Sequence, residues 1–285
     1  MDTGFALSEI DTTTPHPARM YDALLGGKDN YAADRQAVRQ LLEAAPEARY
    51  SARANRAFLQ RAVRFLSAEA GIRQFIDIGT GIPSAGNVHE VAAPGTRVAY
   101  VDNDPIVHVH ANALLTGSGT TSIILADLRE PESILDHPKV RALIDFTQPI
   151  ALLLVAILHF ITDTEDPARI LAVLRDALPA GSYLALSHAT ADFRPAAAND
   201  AAAVYDQATS PVTLRTHGQV VALFDGWDLI KPGLVQVPLW RPDGRRPRPK
   251  ELERAWVYGG VARKSPLPST RLGLGRWSMG AALRE

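Results

Sequence analysis

The stretch RQFIDIGTGIPSAGNVHEVAAPGTRVAYVDND, residues 73–104, contains two apolar runs that are rich in β-forming residues. The first run ends at Ile78 and is followed by a Gly-Thr-Gly turn at residues 79–81 and a helical segment. The second run ends on Asp102, about 20 residues after the turn. This order of strand, glycine turn, helix, strand and acid predicts a βαβ unit that binds a nucleotide. The acid is placed to accept hydrogen bonds from a ribose.

The polar residues around the turn favour a positively charged nucleoside over a dinucleotide. A dinucleotide site has a third glycine and a helix N-terminus that receives a pyrophosphate. Here Ser84 takes the third-glycine position, and Asp77 would place negative charge close to any phosphate. Asp102 and Asp127 end the next two predicted strands. Three carboxylates at neighbouring strand ends suit S-adenosylmethionine, which carries a sulfonium, an ammonium and a ribose, better than they suit NAD.

Further motifs resemble one protein family. The order DIGTG at 77–81, VDNDP at 101–105 and ADLR at 126–129 is similar to the class I S-adenosylmethionine-dependent methyltransferases. More narrowly, residues 15–264 resemble a bacterial family named S-adenosyl methyltransferase, formerly a domain of unknown function. The motifs of this narrower resemblance are ARMYD at 18–22, LGGKDNY at 25–31, RANR at 53–56, NVHE at 87–90, LHF at 158–160, GSYL at 181–184 and SH at 187–188.

The resemblance implies S-adenosylmethionine as the cofactor and names the residues that bind it. Asp77 and the backbone of Gly79 and Gly81 would face the methionine part, and Asp102 would bind the ribose hydroxyls. The alternative for both Asp102 and Asp127 is an acid that forms a turn or caps a helix. The residues expected at the adenine are Asn103, Asp127 and Leu128.

The whole chain predicts an α/β fold of the Rossmann-like class I methyltransferase kind, with a seven-stranded, mostly parallel sheet and helices on both faces. Residues 1–71 would form a tail and a helical cover, in which the third helix begins at the N-cap Ser51. Residues 72–264 would form the cofactor-binding core, and residues 265–285 a flexible tail. Residues 227–237 and 255–262 are predicted as the last two strands, an antiparallel pair at the sheet edge.

Two histidines follow predicted strands and are candidates for the acceptor site. His159 follows the fourth strand, and His188 ends the fifth. Ligands of open α/β sheets bind beyond the carboxyl ends of the strands, and histidine is the natural general base near neutral pH. Both are therefore predicted as catalytic residues, with a hydrogen-bonded histidine at a strand end as the alternative. Methyl transfer needs no metal, and none is predicted.

The helical cover contains a second group of candidate residues. Gly26-Gly27 between two predicted helices would permit a hinge, with a plain helix break as the alternative. Arg53 and Asn55 lie on one turn of the third helix and would clamp the cofactor carboxylate, or Arg53 would form a surface ion pair. The residues that would supply hydrogen-bond donors near the hinge, for the cofactor or the acceptor, are Tyr21, Lys28, Asn30 and Tyr31.

Composition excludes several classes of protein and site. The 285 residues include 30 Lys and Arg against 31 Asp and Glu, so no excess of positive charge favours nucleic acid. There is no Cys, which excludes disulfides and thiolate metal sites. The longest apolar run, residues 150–158, is far shorter than the roughly 20 residues of a membrane helix, and no secretion signal is recognisable. A cytoplasmic protein without a membrane partner is expected.

Three functions remain in order of preference. The first is a methyltransferase that moves a methyl group from S-adenosylmethionine to an oxygen or nitrogen of a small-molecule acceptor. The second is a regulatory protein that senses S-adenosylmethionine without turnover. The third is an NAD-dependent oxidoreductase, against which Ser84 and Asp77 argue.

Overall fold

The computed structural model describes residues 11–84, 86–115 and 119–264. The predicted flexible tail at 265–285 lies outside the described residues, as do residues 1–10 of the predicted N-terminal tail. Within the described residues, eight strands form one sheet.

The sheet is mostly parallel, as predicted. Its order is β3-β2-β1-β4-β5-β8-β6, and β7 also pairs with β8. Strands β1 to β5 pair in parallel, whereas β8 is antiparallel to β5, β6 and β7. The order reverses between β1 and β4, which is where open α/β sheets bind ligands. The strands are β1 (Gln74–Ile78), β2 (Arg97–Asp102), β3 (Thr121–Leu125), β4 (Ala151–Val155), β5 (Tyr183–Ala189), β6 (Asp228–Leu229), β7 (Val235–Gln236) and β8 (Val257–Arg263).

The antiparallel end of the sheet differs from the prediction in one way. The strand predicted at residues 227–237 is divided into β6 and β7, because Pro232 lacks an N–H for the ladder and Gly233 turns the chain at a φ of 90°. The predicted antiparallel pair at the sheet edge is present, since β6 and β7 both pair with β8, and the division raises the number of strands from the predicted seven to eight.

Helices precede the sheet and connect its strands. Short 3₁₀ turns follow β4, β7 and the helix Pro195–Val204, and a π-helical turn at Phe65–Glu69 extends the helix Ala48–Arg64. The helices are α1 (Pro17–Leu25), α2 (Ala32–Ala44), α3 (Ala48–Arg64), α4 (Val88–Val91), α5 (Pro105–Leu115), α6 (Pro131–Asp136), α7 (Pro138–Leu143), α8 (Pro167–Ala177), α9 (Pro195–Val204), α10 (His217–Ala222) and α11 (Pro249–Leu252).

The parallel strands bury both of their faces. Successive side chains of β1 enter different clusters, because Phe75 packs in one apolar core and Ile76 packs in the other. In β4, Leu152 and Leu153 divide in the same way. This burial of alternate side chains on opposite faces is what a central strand between two helical layers requires.

Helices α1, α2 and α3 form the predicted cover, and α9 packs against α2 as a fourth member. The third helix begins earlier than predicted, with Glu47 as its N-cap. Ser51 therefore caps no helix. Its hydroxyl instead donates to the carbonyl of Arg254 at 2.8 Å and accepts from the backbone N–H of Trp256 at 3.2 Å, and so joins the cover to β8.

Buried charges fix the cover to the sheet. Asp104 caps α5 by accepting from the backbone N–H of Ile106 at 2.9 Å. Its second carboxylate oxygen lies 3.2 Å from Arg19 Nε and 3.1 Å from His16 Nδ1. Asp34 of α2 accepts from the backbone N–H of His16 at 2.9 Å. These contacts hold the start of α1 above the carboxyl ends of β1 and β2.

Candidate active site

A cavity of about 230 Å³ lies between the carboxyl ends of the parallel strands and the helical cover. A water molecule needs roughly 10–15 Å³ of such volume, so the space corresponds to about 15–23 water positions. Its strand half is lined by residues that follow β1 to β4, with His16 and Arg56 from the cover. Its helical half is lined mainly by α1 to α3, α9 and the segment after α9.

The glycine turn has the conformation that its sequence predicts. Gly79 and Gly81 have φ angles of 73° and 68°, which favour glycine. A Cβ on Gly79 would lie 2.7 Å from the side chain of Ile157, so this position also requires close approach. The backbone N–H of Gly81 donates to Asp102 Oδ2 at 2.8 Å, which links the turn to the end of β2.

Asp77 and Asp102 are buried acids that line the strand half. Burial raises the pKa of Asp77 to about 6, although a hydrogen bond from Thr80 and the charge of Arg56 act in the opposite direction. Burial likewise raises the pKa of Asp102 to about 7, against the hydrogen bonds that it accepts from the N–H groups of Asp104 and Gly81. Both groups would gain from a ligand that brings positive charge or hydroxyl donors.

The next strand end carries a third acid in a polar network. Asp127 accepts from Asn103 Nδ2 at 2.9 Å and from the backbone N–H of Arg129 at 2.9 Å. Burial acts to raise the pKa of Asp127, but these bonds and the Arg129 charge hold it below its usual value. Leu128 is buried beside it and lines the cavity with Asn103 and Asp127.

Of the arginines of α3, Arg56 lines this cavity, and Arg53 lies elsewhere. Arg53 is exposed and is not among the lining residues, which corrects the expectation that it clamps a carboxylate. Arg56 lines the strand half, and its Nη2 donates to Ser84 O at 3.3 Å and Asn87 Oδ1 at 3.1 Å. Its Nε is buried without a partner in the described part of the chain.

Helical spacing would have identified Arg56. The lining residues of α3 include Ala52, Asn55, Arg56 and Leu59, which recur at intervals of three and four along one face of the helix. Arg53 lies about 100° around the helix axis from Ala52, outside the arc that these four residues cover, and so points to a different side. The predicted pair, Arg53 and Asn55, lies at an i, i+2 spacing, and side chains at that spacing do not share a helix face.

Tyr21 and Asn55 line the cavity as a hydrogen-bonded pair. The Tyr21 hydroxyl donates to Ala52 O at 2.9 Å and accepts from Asn55 Nδ2 at 3.0 Å. Asn55 Oδ1 in turn accepts from the hydroxyl of Ser187 in β5 at 2.6 Å. This chain of bonds holds α1 and α3 at the end of β5.

The two predicted catalytic histidines have different surroundings. His159 lines the cavity, and its Nδ1 accepts from the backbone N–H of Ala189 at 3.4 Å. Burial lowers the pKa of His159 well below its usual value, and His188 and Arg215 add to the effect. The neutral ring with an unprotonated Nδ1 carries its proton on Nε2, so a general base would need the opposite tautomer.

His188 does not face the cavity, which corrects its assignment to the acceptor site. It is completely buried, and burial lowers its pKa to about 4. Nδ1 lies 2.7 Å from Ala189 O and Nε2 lies 2.9 Å from Arg215 Nη1, so Nδ1 donates and Nε2 accepts. Arg215 also donates to Leu158 O at 3.0 Å. His188 therefore holds the segment after β4 in place.

The residues of the proposed hinge form a fixed turn outside the cavity lining. Gly26 is the left-handed C-cap of α1, and a Cβ on Gly27 would lie 1.8 Å from Asp22 Oδ1. Asn30 is buried and donates to Asp22 Oδ2 at 2.7 Å. Two further predicted residues, Lys28 and Tyr31, are exposed. The structure thus corrects the expectation that Lys28, Asn30 and Tyr31 reach an acceptor.

Comparison with known proteins identifies the family. The sequence profile described as S-adenosyl methyltransferase matches residues 4–265. The chain belongs to the S-adenosyl methyltransferase family. It is similar to a DUF574 family protein from Streptomyces avermitilis, with 45% identity, 90% of this chain and 100% of that chain covered, and a TM-score of 0.87. It is also similar to a candidate methyltransferase from Thermobifida fusca, with 40% identity, 90% and 97% covered, and a TM-score of 0.85. No curated protein matches the chain.

The cofactor of this S-adenosyl methyltransferase is S-adenosylmethionine. The strand half fits that molecule, because the buried unpartnered Nε of Arg56 is a donor for a carboxylate. Asp77 is an acceptor for an ammonium, and Asp102 lies at the strand end where ribose acids lie. Asn103, Asp127 and Leu128 would then hold the adenine.

Two further features are absent from the described residues of the family member. None of its described helices has the length and apolar character to cross a membrane. Within residues 11–84, 86–115 and 119–264, His, Asp and Glu side chains form no cluster of three that would hold a metal ion.

Ionisation of Asp77 is expected to raise the affinity for S-adenosylhomocysteine, the product form of the cofactor, about tenfold between about pH 5 and about pH 7. Burial raises the pKa of Asp77 to about 6, so the carboxyl is mostly neutral at the lower pH and mostly ionised at the higher. The ligand ammonium stays protonated over this range and binds the ionised form. Calorimetric titration across the range measures the effect.

Asp77→Asn is the control for this pH dependence. It should remove the rise in affinity centred near pH 6 and leave the rise in affinity centred near pH 7, where Asp102 titrates. An unchanged pH profile in Asp77→Asn would show that the acid at the end of β1 does not meet the ammonium.

Proposed function

We propose that the protein transfers the methyl group of S-adenosylmethionine to an oxygen or nitrogen atom of a small-molecule acceptor, with S-adenosylhomocysteine as the leaving group and the acceptor's proton released to water. The observation that carries this proposal is the joined cavity, in which the acids at the ends of β1 and β2 share one space with an apolar helical half. The near-zero net charge of −1 offers no attraction for nucleic acid.

S-adenosylmethionine, when bound, supplies a methyl group on a positively charged sulfur. The chain itself would bind the two ends of the cofactor, exclude water and align the acceptor. Asp77 and Arg56 would hold the amino-acid end, and Asp102 would hold the ribose. His159, with its proton on Nε2, would donate a hydrogen bond to the acceptor and orient it. This role differs from the general base expected from the sequence, since that role needs a lone pair on Nε2.

Label transfer tests this function directly. The protein is incubated with S-adenosylmethionine that carries a radioactive methyl group and with a metabolite extract of the organism that encodes it. Label is expected in a small organic molecule, and Asp102→Ala is expected to give none. Tight binding of S-adenosylhomocysteine without any transfer would favour the sensor. Binding of NADH, which Ser84 and Asp77 disfavour, would favour the oxidoreductase.

A further inference from the structure

The helical half of the cavity is built from small and uncharged side chains. The charged lining residues, namely Arg56, Asp77, Asp102, Asp127 and Arg129, belong to the strand half or reach it from α3. Among the described residues that α1, α2, α9 and the segment 205–214 contribute to the lining, none is charged. Seven alanines line this half and leave space for a ligand, and they are Ala18, Ala45, Ala48, Ala52, Ala198, Ala201 and Ala202.

Most polar groups at this end of the cavity already have partners. The Tyr21 hydroxyl donates to Ala52 O, and the Ser51 hydroxyl donates to Arg254 O. Neither hydroxyl therefore has a proton left for a ligand. Thr190 Oγ1 accepts from the backbone N–H of Asp192 at 3.1 Å. A ligand in this half meets apolar surface and few free donors.

Tyr205 is an exception, and it follows α9 directly. Its ring is partly exposed and contacts Phe160 with 5.6 Å between centroids, whereas its hydroxyl lies inside the protein. Burial raises the pKa of that hydroxyl, and the neighbouring Tyr21 adds to the rise, so it remains a neutral donor. Within the part of the chain that the structure describes, the Tyr205 hydroxyl makes no hydrogen bond. His159, with its Nε2 proton, lies next to Phe160 in the same wall, with 4.4 Å between ring centroids.

We propose that the acceptor is a neutral, largely apolar molecule with one polar group, which lies against the alanines of the helical half and is oriented by the Tyr205 hydroxyl and His159. The proposal rests on the proposed methyltransferase function and specifies its substrate class. An ionised group in this half would lose its hydration and find no opposite charge, so charged molecules are excluded. A neutral molecule gains from burial against the alanines and against the rings of Phe160 and Trp256.

Calorimetric titration of the protein saturated with S-adenosylhomocysteine tests the substrate class. The probes are naphthol, its sulfonate and the cation tyramine. We expect naphthol to bind at least tenfold more tightly than either charged probe. Equal or tighter binding of the sulfonate or of tyramine, or no binding of naphthol, would overturn the proposal.

Two matched substitutions in α9 locate the binding site. Ala201→Leu fills the helical half and should weaken naphthol binding at least tenfold, while Ala203→Leu, on the exposed side of the same helix, should leave it unchanged. Tyr205→Phe removes one hydroxyl with little change in shape, and it should weaken naphthol binding severalfold. Naphthol binding that is unaffected by both Ala201→Leu and Tyr205→Phe would contradict the assignment.

The S-adenosylhomocysteine titration keeps the two proposals separate. All three variants should bind S-adenosylhomocysteine like the unaltered protein, which also shows that they fold. Absence of this binding in the unaltered protein would contradict the proposed methyltransferase function. Normal binding with a preference for charged probes would contradict the substrate class alone.

Discussion

Asp102→Ala is expected to weaken the binding of S-adenosylhomocysteine by ten- to a hundredfold. The carboxylate accepts from the N–H of Gly81 at 2.8 Å and from the N–H of Asp104 at 3.0 Å, and it lines the cavity at the end of β2. Removing it takes away the acceptor for the ribose and releases the glycine turn. Hydrogen bonds to a charged group contribute about 1.5–3 kcal/mol, and each 1.4 kcal/mol is about tenfold in affinity.

The measurement is calorimetric titration at about pH 8, where the carboxyl of Asp102 is ionised because its pKa is about 7. Asp102→Asn keeps the volume and one acceptor oxygen, so its loss of affinity should be smaller than that of Asp102→Ala. Asp136→Ala removes an exposed acid far from the lining and should bind normally. Unchanged affinity in Asp102→Ala would mean that the acid at the end of β2 does not bind the ribose.

Local sequence was enough to predict the strand half of the site. The apolar run of β1 is visible in the sequence, and the turn that follows it needs glycine at Gly79 and Gly81. Because parallel strands end at one edge of the sheet, the acids at the ends of β1, β2 and β3 had to converge there. For this reason the predicted strands are present in the structure, and Asp77, Asp102 and Asp127 line the cavity.

The helical half depends on contacts between segments that are far apart in the chain. Helix α9 packs against α2, although about 150 residues separate the two helices in the chain, and no local sequence pattern predicts this contact. Ser51 resembles an N-cap by type, yet its hydroxyl bonds to Arg254 O, and only the tertiary structure brings the two together. His188 likewise turns toward Arg215 and away from the cavity because of a buried guanidinium that arrives from another loop. Residue type at a strand end did not determine which side the imidazole faces.

Arg56→Gln is expected to weaken the binding of S-adenosylhomocysteine by roughly ten- to a hundredfold, and Arg53→Gln is expected to leave it unchanged. The two arginines lie three residues apart on α3, but only Arg56 lines the cavity. Its Nε is buried and has no partner in the described residues, so the carboxylate of the ligand would complete its hydrogen bonding. Arg53 provides a matched control for helix propensity and net charge.

A second ligand separates loss of this contact from damage to the fold. Methylthioadenosine has the adenosine part of the cofactor but lacks the carboxylate, so its affinity should be the same in Arg56→Gln and in the unaltered protein. Arg56 also donates to Ser84 O and Asn87 Oδ1, and loss of these bonds would disturb the turn for both ligands. An equal loss for S-adenosylhomocysteine and methylthioadenosine would therefore assign Arg56 to the shape of the turn. A loss confined to S-adenosylhomocysteine would assign it to the carboxylate, and so would fix the orientation of the cofactor in the cavity.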